Sequence, residues 1–394
     1  MTHYKTITLR KGKTESIHRF HPWIFSGAIA QLSPETEEGD IVKVLDANGN
    51  YLCTGHYQGG SIAVRILSFE DIEINSRFWN DAIGKALELR KELNLIRQDN
   101  NTFRLVHGEG DNLPGLVVDI FDHTAVMQSH SYGMHLCRTE IAQALMQQCQ
   151  GFINAVYYKS ESTLPFKNGD VPENGFLIGS NADNVAVENG LRFHIDWLRG
   201  QKTGFFVDQR ENRDLLEKLS NNRRVLNLFC YTGGFSVYAM RGNAEYVHSV
   251  DSSGKAIDLA SANMQLNFPG NERHQEIVAD AFKYLERTDA PYDLMILDPP
   301  AFAKHRGAIH NAIKGYTRLN AMAFSKIEKG GIVFTFSCSQ AITKEQFRLA
   351  VFTAAAQAKR EVKILYQLHQ PADHPINIFH PEGEYLKGLV LKVN

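Results

Sequence analysis

The sequence predicts an α/β protein in which a doubly wound parallel sheet fills the C-terminal half, behind a small β-rich module and an α+β segment. Three observations carry the prediction. Short apolar runs cut by turns lie ahead of residue 70, helical and strand-like patterns mix up to residue 187, and beyond that buried-type strands alternate with helical stretches. The boundaries expected are 1–70, 75–187 and 188–394. A chain of 394 residues with 43% hydrophobic content can fill more than one core.

In the first module, Ile41-Val42-Lys43-Val44-Leu45, Tyr51 to Gly55 and Ser61 to Leu67 read as strands, with Asp46-Ala47-Asn48-Gly49-Asn50 as a turn. The segment leading into them carries Lys5, Arg10, Lys11, Lys13 and Arg19 against the single acid Glu15, beside Phe20, Trp23 and Phe25. It reads as a solvated basic edge over a small aromatic core or, more sharply, as a surface for phosphate contact. The second segment opens with a helix from Ser76, its apolar positions Phe78, Ile83, Leu87 and Leu89. After Phe103 to Asp111 come the turn Leu113-Pro114-Gly115, the strand Leu116 to Phe121 and a helix over His135 to Gln148.

A hairpin expected over Glu188 to Phe206 leads into the third segment. Arg224 to Cys230 is a strand, Tyr231-Thr232-Gly233-Gly234 a tight turn, and Phe235 to Met240 a helix. Tyr246 to Val250 ends at Asp251, and Ser252-Ser253 can cap the helix in which Ala256, Leu259, Ala260 and Met264 recur. Glu276 to Ala279, Tyr292 to Leu297 and Gly331 to Phe336 complete the strands.

In such sheets a ligand lies beyond the carboxyl ends of the strands, which here carry Gly233, Asp251, Asp280 and Asp298. Gly233 and Gly234 let the backbone come close to a ligand, and Asp251 can accept hydrogen bonds from both ribose hydroxyls. The G-x-G-x-x-G of a dinucleotide site is missing. An adenosine cofactor bearing a sulfonium has no phosphate to cradle and suits an acidic pocket, which points to S-adenosylmethionine.

Asp298-Pro299-Pro300 follows an apolar strand, and its prolines hold an extended turn that presents a carboxylate and carbonyls to a planar base. Ser337-Cys338-Ser339 follows the strand expected beside it, with a crossover helix over Asn311 to Lys329, so Cys338 and Asp298 are expected to face one crevice. A thiol has a use there. Carbon 5 of a pyrimidine becomes nucleophilic only after a group adds at carbon 6, and a thiolate does this best. Amino-group methylation needs no cysteine.

Other classes are disfavoured. The five cysteines, at 53, 137, 149, 230 and 338, form no C-x-x-C and no metal-ligand spacing, so reduced thiols and no metal are expected. A hydrolase lacks its G-x-S-x-G elbow. Met1 to Lys5 do not open a secretory signal, and no apolar run is long enough to span a bilayer, so a cytoplasmic protein is expected. The net charge of −2 leaves any nucleic-acid contact to local patches. His305 and His374 read as solvated loop histidines, and Cys230 as a small buried residue.

The stretches Gly204-Phe205-Phe206-Val207-Asp208-Gln209-Arg210, Asn227 to Phe235, Asp298-Pro299-Pro300 and Phe336-Ser337-Cys338-Ser339 resemble the bacterial large-subunit ribosomal RNA methyltransferase I family. Ala372-Asp373-His374-Pro375 and Glu384-Tyr385-Leu386-Lys387-Gly388 look like it too, so the resemblance runs the whole chain. It implies a PUA domain for RNA, a central α+β domain and a Rossmann-like class I methyltransferase that makes 5-methylcytosine in 23S ribosomal RNA. It makes Cys338 the nucleophile, with Asp298 beside it. It implies a cofactor pocket of Gln209, Arg210, Asn227, Tyr231, Thr232, Gly233, Gly234, Asp251, Ser252, Asp280, Ala281 and Asp298, and an RNA role for Lys11 and Arg19. A homodimer stays open. So do amino or ring-nitrogen methylation of guanine or adenine, since relatives of this family include enzymes that methylate guanine, and a non-catalytic RNA-binding assembly factor.

Overall fold

The computed structural model describes residues 4–164, 173–181, 183–303 and 305–394, in which the chain forms two units. Met1 to His3, on which part of the secretory-signal expectation rests, lie outside the described residues. The first unit takes in the chain up to Gly190 together with Ile195–Val207 and Ala372–Gly383, and the second holds the rest.

The first unit contains two sheets. A six-stranded sheet runs in the order Trp23–Phe25, Ile62–Ser68, Tyr51–Tyr57, Ile41–Leu45, Lys5–Leu9, Ile29–Leu32. Its core is aliphatic: Ile7, Leu9, Ile24, Val42, Val44, Val64 and Ile66. The aromatic core expected from the sequence is therefore corrected. Side chains alternate along a strand, so Ile24 turns inward while its neighbour Phe25 turns out, 47% exposed; Phe20, in the turn before the strand, is 50% exposed.

The five-stranded sheet runs Gly175–Ile178, Ala155–Tyr158, Thr124–Ser129, Leu116–Phe121, Thr102–His107. The helix Ser76–Glu92 packs on it, started by Asn75, whose side chain accepts from the Arg77 and Phe78 amides. The helix expected over His135 to Gln148 is two helices, Tyr132–Leu136 and Arg138–Gln148, because Ser131 caps the chain early through the Met134 amide.

The buried face of Ser76–Glu92 also holds Arg90, which is wholly buried. Its guanidinium donates to Asp111 at 2.5 and 2.8 Å and to the carbonyl of Asp373 at 2.7 Å. Asp373 in turn accepts from the Arg104 amide at 3.0 Å. A segment from near the C-terminus is thus built into this unit, and at Gly110 a Cβ would lie 1.9 Å from the Pro375 carbonyl oxygen, so only glycine fits there. This corrects the reading of His374. It is buried, with Nδ1 3.0 Å from the Asp373 carboxylate and its ring against that of His107. His305 is exposed.

In the second unit we number the sheet strands β1 (Arg224–Leu228), β2 (Tyr246–Asp251), β3 (His274–Val278), β4 (Leu294–Leu297), β5 (Gly331–Ser337), β6 (Val362–Leu368) and β7 (Lys387–Val393). Their order is β3-β2-β1-β4-β5-β7-β6. The five strands β1 to β5 are parallel, as the alternating pattern predicts, but β7 enters antiparallel between β5 and β6. The sheet is therefore mixed rather than wholly parallel. Helices α1 (Gly234–Arg241), α2 (Gly254–Asn267), α3 (Ala281–Arg287), α4 (Ile309–Lys326) and α5 (Lys344–Ala358) accompany the strands. Of the hairpin expected over 188–206, the strand Leu191–His194 falls in this unit, and Val185–Glu188 is a strand of the first. No helix among the described residues is long and apolar enough to cross a membrane.

Candidate active site

Because β1 to β5 run parallel, their carboxyl ends open on one edge of the sheet, and five loops meet there. The loop after β1 is wound tightly: Phe229, Tyr231 and Gly233 all have positive φ, at 58°, 46° and 77°. Two non-glycine residues in the left-handed region cost on the order of 1–3 kcal/mol each, so the turn is held by its surroundings. One restraint is Asp251 at the end of β2, whose carboxylate accepts from the Tyr231 amide at 3.0 Å and the Ser253 amide at 2.9 Å. Another is α2, since a Cβ on Gly233 would lie 2.9 Å from that of Ala260.

Ser252 is exposed beside Asp251, while the capping expected of the serine pair falls to Ser253, which accepts from the Ala256 amide. Asp280 is exposed and caps α3 through the Lys283 amide, with Ala281 buried as its first residue. Thr232 and Gly234 are buried in the turn. These residues fit a sulfonium nucleoside. Asp251 uses two of the roughly four acceptor positions of a carboxylate, leaving capacity for ribose hydroxyls, and the strand ends supply negative charge.

Two side chains expected at the pocket are bonded to other side chains. Asn227 is 1% exposed and donates to Ser236 Oγ at 2.9 Å, opening a buried chain through Ser249 to His274 that ties β1, β2 and β3 together. Gln209 is buried and donates to Asp298 Oδ2 at 3.0 Å, itself fixed by Asn212 at 2.6 Å, so it orients the carboxylate of the D-P-P turn. Arg210, buried, begins the helix Arg210–Lys218. Cys230 is buried, and burial with the nearby Asp251 charge pushes its thiol well above the ordinary range, which suits a packing residue.

β4 and β5 are neighbours in register, Leu297 opposite Thr335, so Asp298 and Cys338 emerge from adjacent strands. The serines flanking Cys338 are anchored in the core. Ser337 Oγ donates to Tyr316 at 2.9 Å, and Ser339 Oγ lies 3.3 Å from the same phenol and accepts from the Ala303 amide at 3.2 Å. Cys338 is half-buried and lines a cleft of about 290 Å³ with Ala301, Ala303, Ser339, Gln340, Ala341 and Tyr385. That volume sits at the low end of small-ligand sites. Tyr385, whose hydroxyl donates to Asp208 at 2.7 Å, and Lys387, whose amine donates to the Ser339 carbonyl at 2.6 Å, carry no chemical role in the sequence reading. A lysine inside the apolar run Leu386 to Val393 was the signal available for the second. Lys11 and Arg19 lie elsewhere, exposed on the first unit, where Arg19 pairs with Glu15 at 2.5 Å.

Comparison with known proteins adds to this geometry. A family model described as S-adenosylmethionine-dependent methyltransferase matches residues 165–378, and one for PUA-like domains matches residues 7–69. The chain is 38% identical to the ribosomal RNA large subunit methyltransferase I of Tolumonas auensis, over 98% of this chain and 99% of that one. It is similar in fold to a Streptococcus mutans protein assigned as an S-adenosylmethionine-dependent methyltransferase, at a TM-score of 0.84 and 23% identity, over 98% of this chain and all of that one. A methyltransferase structure complexed with S-adenosylhomocysteine matches with the same TM-score, identity and coverage.

Proposed function

Since the chain belongs to the ribosomal RNA large subunit methyltransferase I family and depends on S-adenosylmethionine, we propose that it methylates carbon 5 of a cytosine in 23S ribosomal RNA through a covalent Cys338 adduct. The observation that carries this reading is a cysteine at the end of β5, in a cleft sized for a small ligand, beside the strand that ends in Asp298. Bound S-adenosylmethionine supplies an electrophilic methyl group. The Cys338 thiolate adds to carbon 6 of the base, and the double-bond electrons move to carbon 5, which takes the methyl group. The carbon 5 proton then leaves, the double bond re-forms and the carbon–sulfur bond breaks. Asp298, oriented by Gln209, holds the polar edge of the cytosine.

Gly233, Gly234, Tyr231, Thr232, Asp251, Ser252, Asp280 and Ala281 border the cofactor in this reading. Residues 1–70 serve as the RNA-binding PUA domain, 75–187 as a central domain and 188–394 as the catalytic domain, in the cytoplasm. Exposed Phe20 and Phe25, in the same N-terminal segment as exposed Lys11 and Arg19, suit RNA, which is bound by base stacking together with phosphate contact. The relatives' names carry no oligomeric state, so a homodimer is not part of the proposal. The target base has to be unpaired or extruded, at a cost of a few kcal/mol. Incubation with unmodified 23S RNA and labelled cofactor, followed by mass spectrometry of the nucleosides, is expected to yield 5-methylcytidine. Methylguanosine or methyladenosine as the product overturns the reading, and cofactor binding without transfer favours an assembly factor.

A further inference from the structure

A thiol of ordinary pKa, about 8.5, is only a few per cent ionised near neutrality, so a cysteine nucleophile needs a group that takes or stabilises away its proton. The structure holds one candidate on β7. In the antiparallel register of β5 and β7, Ser337 lies directly opposite Lys387, and the Lys387 amine reaches past it to the carbonyl of Ser339. The lysine side chain therefore spans the one residue between them, which is Cys338.

We propose that Lys387 ionises Cys338: its neutral amine takes the thiol proton, and the resulting ammonium holds the thiolate. The S–H bond breaks, the proton moves to the lone pair of Nζ, and the electron pair stays on sulfur. This rests on Cys338 being the nucleophile. Lys387 acts through that residue and not on the base, so it is a positioning residue.

The surroundings of the amine support the assignment. Lys387 is 6% exposed, and among the described residues the Ser339 carbonyl is its one hydrogen-bond partner, which leaves the lone pair available to a proton. Burial outweighs the upward pull of its neighbours, of which an ionised Cys338 is the strongest, and leaves the amine at about 8. The interaction between two charges is mutual, so an ammonium at Lys387 lowers the pKa of the thiol as the thiolate raises that of the amine. Burial brings the proton affinity of the amine down toward that of a thiol, so the proton crosses at less cost than it would to an exposed lysine.

The other groups that face this pair do not replace the lysine. Glu384 favours the ammonium but is engaged in an ion pair with Lys344 at the start of α5. Tyr316 of α4 is pushed up by burial and stays a neutral phenol, donating and accepting within the serine pair. Tyr385, which lines the cleft with Cys338, directs its proton to Asp208. Of these groups Lys387 is the one that can take the thiol proton and then, as the ammonium, hold the thiolate.

The test is the rate of iodoacetamide alkylation of Cys338 in the full-length protein, followed by peptide mass spectrometry from about pH 6 to about pH 10. Lys387→Met is expected to raise the midpoint of the profile by about one unit or more, with Lys387→Arg keeping it near or below the wild-type value, since the arginine stays charged. The midpoint is the readout because intrinsic nucleophilicity falls with thiol pKa and partly offsets a rate at any single pH. A lysine that merely holds the Ser339 carbonyl lowers methyl transfer in Lys387→Met without moving the midpoint, and that result overturns the proposal. If Lys387→Met does not fold, the arginine variant decides: a midpoint well above wild type contradicts the ion pair. Failure of the covalent reading is separate. A shifted midpoint alongside an active Cys338→Ala enzyme keeps the ion pair and removes the adduct.

Discussion

Cys338→Ala is expected to lower methyl transfer to 23S RNA by at least about a thousandfold, because the removed group forms the bond that makes carbon 5 reactive and nothing else in the cleft replaces it. The loss should fall on turnover and not on assembly. Cys338 is half-buried at a strand end, and the fold there is held by Ser337, Ser339 and Tyr316. Calorimetric binding of S-adenosylhomocysteine and the melting temperature should therefore stay close to wild type. Cys338→Ser is expected to be equally inactive, since a serine hydroxyl is far less ionised. A Cys338→Ala enzyme that keeps a tenth or more of wild-type activity makes the cysteine structural, and the chemistry then moves to an amino group held by Asp298.

Arg90→Met is expected to destabilise the first unit by about 3–5 kcal/mol, the usual consequence of removing one partner of a fully buried ion pair. Asp111, with 4% of its side chain exposed, is left charged without a cation, and the carbonyls of Arg104 and Asp373 lose their donor. Adding Asp111→Asn should recover part of the loss, because the amide oxygen can still accept from the His107 amide while the stranded charge is gone. Urea unfolding followed by tryptophan fluorescence reads the effect cleanly. All three tryptophans, Trp23, Trp79 and Trp197, lie in the first unit, so the signal is not mixed with unfolding of the second. A change within about 1 kcal/mol would mean that water or another cation satisfies Asp111.

The contrast between these two residues shows what the sequence carries openly. The positions of Cys338 and Asp298 are legible because each directly follows a strand, and the carboxyl end of a parallel strand is fixed by the chain itself. Gly233 and Asp251 are visible for the same reason. Arg90 is hidden: it sits on the apolar face of a helix, where hydrophobic periodicity expects a leucine, and its partner Asp111 and the carbonyl of Asp373 arrive from distant parts of the chain. Pairings of this kind are set by tertiary packing.

The same limit governs the site. Gln209 is expected near the cofactor because it stands before Arg210 in a recognisable stretch, but its bond to Asp298, far along the sequence, is set by packing. Asn227 lies in a strand that leads to the cofactor turn, but strand alternation turns its side chain into the sheet layer, toward Ser236. Strand β7 escaped notice as part of the sheet because an antiparallel insertion has no signature in alternating strands and helices. Its first residue, Lys387, consequently carried no role until the register placed it opposite Ser337.

The covalent adduct is the centre of this account, and trapping it is the most direct test. RNA carrying 5-fluorocytidine at the target should form the adduct and accept the methyl group, but fluorine cannot leave carbon 5 as a proton does, so the carbon–sulfur bond persists. Wild type is predicted to give a protein–RNA complex that survives denaturing electrophoresis and maps to the peptide containing Cys338, with none in Cys338→Ala. Methylation of ordinary RNA without any trapped complex on the fluorinated substrate would contradict the account.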